Sequence, residues 1–240
     1  MILWFIAAFL AFFVKGLCGF ANTLVFTSIL TFTSTNINIS PVEVLLGYPT
    51  NLIIAWKERR HLKLPVCIPI TLLVLAGSIP GAFLLKNADA SLLKFFLGIL
   101  IILISLELLL RDKYHFALKQ SKPALILCGL VTGLICGLFG IGALLAAYLN
   151  HITQDNDSFK ANLCFIFFAE NTFRILLYGA SGIITFAVFR QIVILLPAMF
   201  AGLFLGMKCS QVLNDQLVRK IVIFLLILSG IFLIIRNIAF

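Results

Sequence analysis

The chain is a succession of long apolar runs, such as Phe95 to Leu110 and Ile221 to Ile235, separated by short polar clusters. A spanning helix needs about 20 mostly apolar residues, and the sequence supplies roughly eight such segments. The first, from about Ile2 to Thr33, is too long for one simple span and is interrupted at Lys15, Gly16 and Gly19. The second runs from Pro41, suited to a helix start, to Trp56, an interfacial anchor beside Lys57. The third and fourth cover Pro65 to Leu85 and Ser91 to Leu110, and the fifth, Pro123 to Tyr148, is again broken by glycines. Phe159 to Tyr178, Ile183 to Met207 and Leu217 to Ile235 complete the set. The expected fold is an all-α integral membrane protein of about eight transmembrane segments.

The segments recur. Gly16-Leu17-Cys18-Gly19 aligns with Gly137-Leu138-Phe139-Gly140 at an offset of 121 residues, and Asn51 with Asn171 at 120. Gly77 and Gly81 meet Gly202 and Gly206 at 125, as do Leu92-Leu93-Lys94 with Leu217-Val218-Arg219 and Arg111 with Arg236. This order implies two homologous four-segment repeats, residues 1–115 and 123–240, joined by a basic cytoplasmic linker at 116–122. The first segment of each repeat is broken at glycines. Four crossings per half would make the repeats parallel; three and a hairpin would make them inverted.

Composition removes the soluble alternative. Hydrophobic residues make up 62% and charged residues 11% of the 240, against about 25% charged in an average soluble domain. The net charge of +9 does not point to nucleic acid, because the basic residues crowd into Lys57, Arg59, Arg60, Lys63 and into Arg111, Lys113, Lys119, Lys122. Short basic loops of this kind face the cytoplasm. The uncharged loop before Pro41 and the stretch from Asn150 to Ser158, with Asp155 and Asp157, are then expected outside. The turn between Arg174 and Arg190 and the C-terminus with Arg236 are expected inside; Lys208, Arg219 and Lys220 fall on the wrong side of this scheme. A re-entrant first segment in each half would shift every later assignment. No basic region or small-residue cleavage site marks a signal peptide at the N-terminus.

The six cysteines lie in or beside apolar segments without a CxxC or Cys/His cluster, so no metal site, cofactor or disulfide framework is expected. His61, His115 and His151 sit in loops with no carboxylate or thiolate constellation readable around them. HExxH, GxSxG and clustered acids are missing, so the chain does not read as an enzyme. There is no nucleotide-binding motif either, so ATP coupling would need a separate partner.

The candidate pathway residues start at the glycine breaks. Matching interruptions in two halves point to a midplane site, where freed N–H groups and helix N-termini attract anions. Gly16, Gly19, Gly137, Gly140 and Gly142 are read as that interruption, with close helix packing as the alternative. Gly129, Gly133 and the Gly77/Gly81 and Gly202/Gly206 pairs are read as packing positions. Buried polarity in lipid is costly and usually functional, which adds Asn22 and Thr23 after the first break and Asn51 beside Pro49. The counterpart of Asn51 is Asn171, between Glu170 and Arg174, which are four apart and able to pair. That pair is either a plain internal salt bridge or an anion ligand, Arg174, with Glu170 as its partner or a proton carrier. Lys15 is expected to snorkel to the interface.

The paired glycine-broken segments, the short Pro/Asn second helix, the basic linker and the GxxxG third helices together resemble the sulfite exporter TauE/SafE family, over nearly the whole chain. The family's glycine-rich motifs fall on Gly16 and Gly19 and on Gly137, Gly140 and Gly142; Phe20, Ala21 and Asn22 stand where the family has denser glycine. The resemblance implies a multi-pass protein of a bacterial inner membrane. It would export small anions such as sulfite or organosulfonates through a site between the repeats, with a coupling proton or other ion. The alternative is a structural or assembly subunit without its own substrate. The sequence leaves oligomeric state open.

Overall fold

A computed structural model describes residues 1–18, 21–113, 122–153, 155–209, 223, 224, 227, 231 and 234. Among these, all regular structure is helical: α1 Ile2–Cys18, α2 Asn22–Leu30, α3 Asn36–Lys57, α4 Leu64–Asn87, α5 Ala90–Lys113, α6 Lys122–Phe139, α7 Ala143–Ile152, α8 Asn156–Ala180 and α9 Phe186–Cys209. Among the described residues α4, α8 and α9 are long and apolar enough to cross a membrane, and α1, α5 and α6 carry shorter apolar stretches. The outward faces are hydrocarbon: Leu72, Phe83 and Val193 are 63%, 70% and 66% exposed. That is the reverse of a water-soluble surface and the pattern a lipid solvent selects. Gly19, the 116–121 part of the linker and most of the eighth apolar segment lie outside the described residues.

The chain forms two compact units, and each draws on both halves of the sequence. Unit 1 comprises Met1–Ser40, Asn87–Phe116 and Arg190–Phe240; unit 2 comprises Pro41–Lys86 and Ala117–Phe189.

In unit 1, α1 lies against α9 through small residues. A Cβ on Gly206 would meet the Phe13 carbonyl and, at 3.0 Å, the Cα of Gly16. Ala21, with φ 72°, takes the left-handed conformation just before α2. The Trp4 and Phe26 rings meet edge-on at 5.8 Å, so α2 folds back along α1.

In unit 2, α4 and α6 run parallel in the same close manner. Gly77 sits on Leu130 and Gly133, and Gly81 on Leu134 and Gly137. The chain then reverses at Gly140, whose φ of 73° costs an L-residue about 1–2 kcal/mol. After the reversal Ile141 offers its carbonyl to Cys136 Sγ at 3.4 Å and Leu144 offers its own to Cys128 Sγ at 3.9 Å, so α7 returns alongside α6. Helix α8 starts at an Asp155 cap, whose carboxylate accepts the Ser158 N–H at 2.7 Å. That bond holds the exposed Asp155 carboxyl below the usual aspartate range. Helix α3 begins at Asn36, one turn earlier than its proline suggested. Thr35 receives the Asn38 and Ile39 N–H groups, and Pro41 is carried inside the helix.

This path overturns part of the orientation expected from the sequence. The Lys63 N–H donates to Asn162 Oδ1 at 2.9 Å, and Glu58, His61 and Asp157 bring their polar atoms within 4.8 Å of one another. The basic turn between α3 and α4 and the start of α8 therefore share one end of unit 2, although one was expected inside and the other outside. The reversal at Gly140 adds a pass that hydropathy merged into a single segment. His61 also has two carboxylates in reach, which the sequence hid because Asp157 lies far along the chain. A membrane-impermeant thiol reagent checks this: Arg60→Cys and Asp157→Cys react from the same side of the membrane and Thr185→Cys from the other. Labelling of Arg60→Cys and Asp157→Cys from opposite sides would contradict the arrangement.

Candidate functional site

The polar centre of unit 2 is built on α8. Residues 167, 171 and 174 share one helical face, which turns toward the α6–α7 reversal: a Cβ on Gly142 would run into the Phe167 ring. One step along that face, Arg174 is 1% exposed and fully surrounded. Its Nη1 donates to the Cys136 carbonyl at 2.7 Å, near the C-terminal end of α6, where the helix dipole favours a cation. Its Nη2 donates to Asn171 Oδ1 at 3.0 Å and to Glu43 Oε2 at 3.2 Å. Its Nε lies 3.6 Å from Glu170 Oε1 but has no acceptor in hydrogen-bonding geometry. The Tyr178 ring lies beneath the guanidinium, 5.9 Å from centroid to Cζ, and its hydroxyl donates to the Gly137 carbonyl at 2.8 Å. Ser78, on α4, stands 3.4 Å from Glu170 Oε1.

Of the residues singled out from sequence, Glu170, Asn171 and Arg174 come together here with Gly137, while Gly140 and Gly142 form the neighbouring reversal. Asn51 is buried in the same unit, on α3. Gly16, Asn22 and Thr23 belong to unit 1, the last two buried in the first turn of α2. Gly16 and Gly137 are inside continuous helices and face close backbone, Gly137 against Ser78 and Gly81. In the second half the interruption therefore falls at Gly140 to Gly142. Lys15 is 2% exposed, so its side chain is buried and not extended to the interface as a snorkelling side chain would be.

Sequence reasoning missed Glu43, Ser78 and Tyr178. Glu43 carried a signal, since it is a carboxylate inside an apolar segment, only 3% exposed once folded. Its partner stands 131 residues away, beyond the reach of any local spacing rule. Ser78 sat in a small-residue stretch that reads as packing, and Tyr178 looked like the end of a span.

A multi-pass helical protein that buries one guanidinium between two carboxylates belongs to the class of membrane transporters, where intramembrane charges mark ion and substrate pathways. The chain belongs to the sulfite exporter TauE/SafE family, whose family model matches residues 4–233. It is accordingly a multi-pass membrane transport protein and not an enzyme. No curated protein and no solved structure matches the chain.

Proposed function

We propose that the protein is a secondary transporter, working as an exporter, of small sulfur-containing anions such as sulfite or organosulfonates, with Arg174 as the anion ligand. The observation that carries this reading is the buried guanidinium held among side chains that an oxyanion could replace. Asn171 lies on the same side, and the N-terminus of α7, opening at Gly142, lies along the same face of α8. Glu43 and Ser78 come from the first sequence repeat and Glu170, Asn171 and Arg174 from the second, so the cluster fits a site between the repeats.

The duplication itself gains support from helix starts. Ile2 and Lys122, Asn22 and Ala143, Asn36 and Asn156, Leu64 and Phe186 begin helices 120 to 122 residues apart. Adding the returning helix to the four apolar segments read from the sequence of each half gives a proposed five passes per repeat. An odd number makes them inverted. With the basic turn of α3–α4 facing the cytoplasm, Lys208, Arg219 and Lys220 join that side, which removes the misfit in the earlier scheme. The last apolar segment then ends outside, so the C-terminus is proposed to face away from the cytoplasm, opposite to the first expectation. The membrane is proposed to be the bacterial plasma membrane.

A thermal-stability screen of sulfur oxyanions, sulfonates and carboxylates on purified protein tests the substrate class. A ligand at 100 times its Kd stabilises by about 2.7 kcal/mol. Stabilisation by sulfite or a sulfonate, and not by acetate, is the expected result. Equal response to all anions, or to none, contradicts it.

A further inference from the structure

Three groups of metal-ligand type converge where the α3–α4 turn meets the start of α8. Glu58 and His61 come from the turn and Asp157 from the first turn of α8. One imidazole nitrogen and one oxygen from each carboxylate lie within 4.8 Å of one another. The set mixes nitrogen and oxygen donors and draws on two segments far apart in the chain, so it differs from a run of neighbouring surface acids.

Local structure holds the donors in place. The His61 N–H donates to the Glu58 carbonyl at 3.0 Å in a single 3-10 turn, Arg59–His61, and side chains three apart in such a turn stand on the same side. The Lys63 N–H donates to Asn162 Oδ1 at 2.9 Å, and the Cys67 thiol reaches the same oxygen at 3.3 Å. Asn162 is 0% exposed, so the turn is fixed on α8 from inside the unit. Asp155 commits its carboxylate to the Ser158 N–H at 2.7 Å, which leaves Asp157 as the acid that approaches the turn. Among the described residues neither the His61 imidazole nor the Asp157 carboxylate makes a side-chain hydrogen bond. Glu58 has Lys57 Nζ at 3.8 Å, a loose pair with an exposed lysine that an incoming cation displaces readily.

We propose that Glu58, His61 and Asp157 form a binding site for a divalent transition-metal ion of the Zn²⁺ or Co²⁺ type. Imidazole selects against Mg²⁺ and Ca²⁺, and the lack of a thiolate removes the preference for a soft ion. Nitrogen and oxygen ligands stand about 2.0–2.2 Å from Zn²⁺, hence about 3.4 Å from one another in a tetrahedron. Small rotations of the side chains, two of them exposed, close the present spread to that value. Water takes the fourth position. A bound ion staples the end of α3 to the start of α8, the two helices that also carry Glu43 and Arg174. The site is independent of the reading of Arg174 as anion ligand.

The test is Co²⁺ titration of the full chain, purified without a histidine tag and stripped with a chelator, followed by its visible d–d absorption. Wild type should bind one Co²⁺ per chain and release it to Zn²⁺. His61→Ala and Asp157→Asn, one from each segment, should each weaken binding by at least about tenfold, since even outer-shell changes cost 10–100-fold. His115→Ala should bind as wild type does. Both altered side chains are exposed, so the metal-free variants should unfold at the wild-type temperature, while Zn²⁺ raises that temperature in wild type alone. A wild type that binds no Co²⁺ overturns the proposal. So does binding that survives Asp157→Asn, because the ion would then be held by the turn without α8.

Discussion

Arg174→Ala is expected to abolish anion binding and to destabilise the protein by about 3–5 kcal/mol, the usual consequence of removing one member of a buried ion pair. The substitution strips one hydrogen-bonded partner from Glu43 and one from Asn171, a neighbouring cation from Glu170, and a donor from the Cys136 carbonyl. Arg174→Lys keeps the charge but not the planar fork that reaches Cys136, Asn171 and Glu43 at once, so it should recover stability better than binding. Thermal unfolding with and without sulfite separates the two effects. An Arg174→Ala protein as stable as wild type and still stabilised by sulfite would remove Arg174 from the site.

The second large effect concerns packing. A Cβ on Gly133 would strike the Val74 carbonyl oxygen and come within 2.8 Å of the Gly77 Cα, both of them backbone and unable to turn aside. Helices α4 and α6 would have to separate, and overpacking of this kind costs about 1–3 kcal/mol. Gly206→Ala meets the same obstacle in unit 1, at the Phe13 carbonyl and Gly16. Gly179, exposed on α8 with no atom within 4 Å of its would-be Cβ, is the control. Its replacement by Ala is expected to be neutral or to stabilise by up to about 1 kcal/mol. Lower melting temperatures for Gly133→Ala and Gly206→Ala, and none for Gly179→Ala, are the expected pattern; a tolerant Gly133 would mean that the helices are not packed through it.

The membrane class and the helical fold were legible because long apolar runs have few physical solutions. Glu170, Asn171 and Arg174 were legible as a set because they share one helical turn, where spacing alone brings side chains together. Glu43 was not, since an acid on another helix declares no partner in the linear chain. The glycines illustrate the same limit. Gly137 and Gly140 look alike in sequence, yet one lets α6 approach α4 and the other turns the backbone with a positive φ. The orientation error has a related origin. Hydropathy counts apolar length, and an apolar chain that doubles back at a tight turn has the same composition as one that runs straight on. Once the return along α6 is counted, the basic turn between α3 and α4 and the start of α8 fall at the same end of unit 2, as their contacts require.

Flux of radiolabelled sulfite into proteoliposomes tests the central claim, movement of a small sulfur anion through the Arg174 cluster, most directly. Flux above that of empty liposomes is predicted for the wild type and for Cys164→Ala, with loss in Arg174→Ala and a marked reduction in Asn171→Ala. Folded wild-type protein that carries neither sulfite, thiosulfate nor a sulfonate, or equal flux from all three variants, would contradict the account.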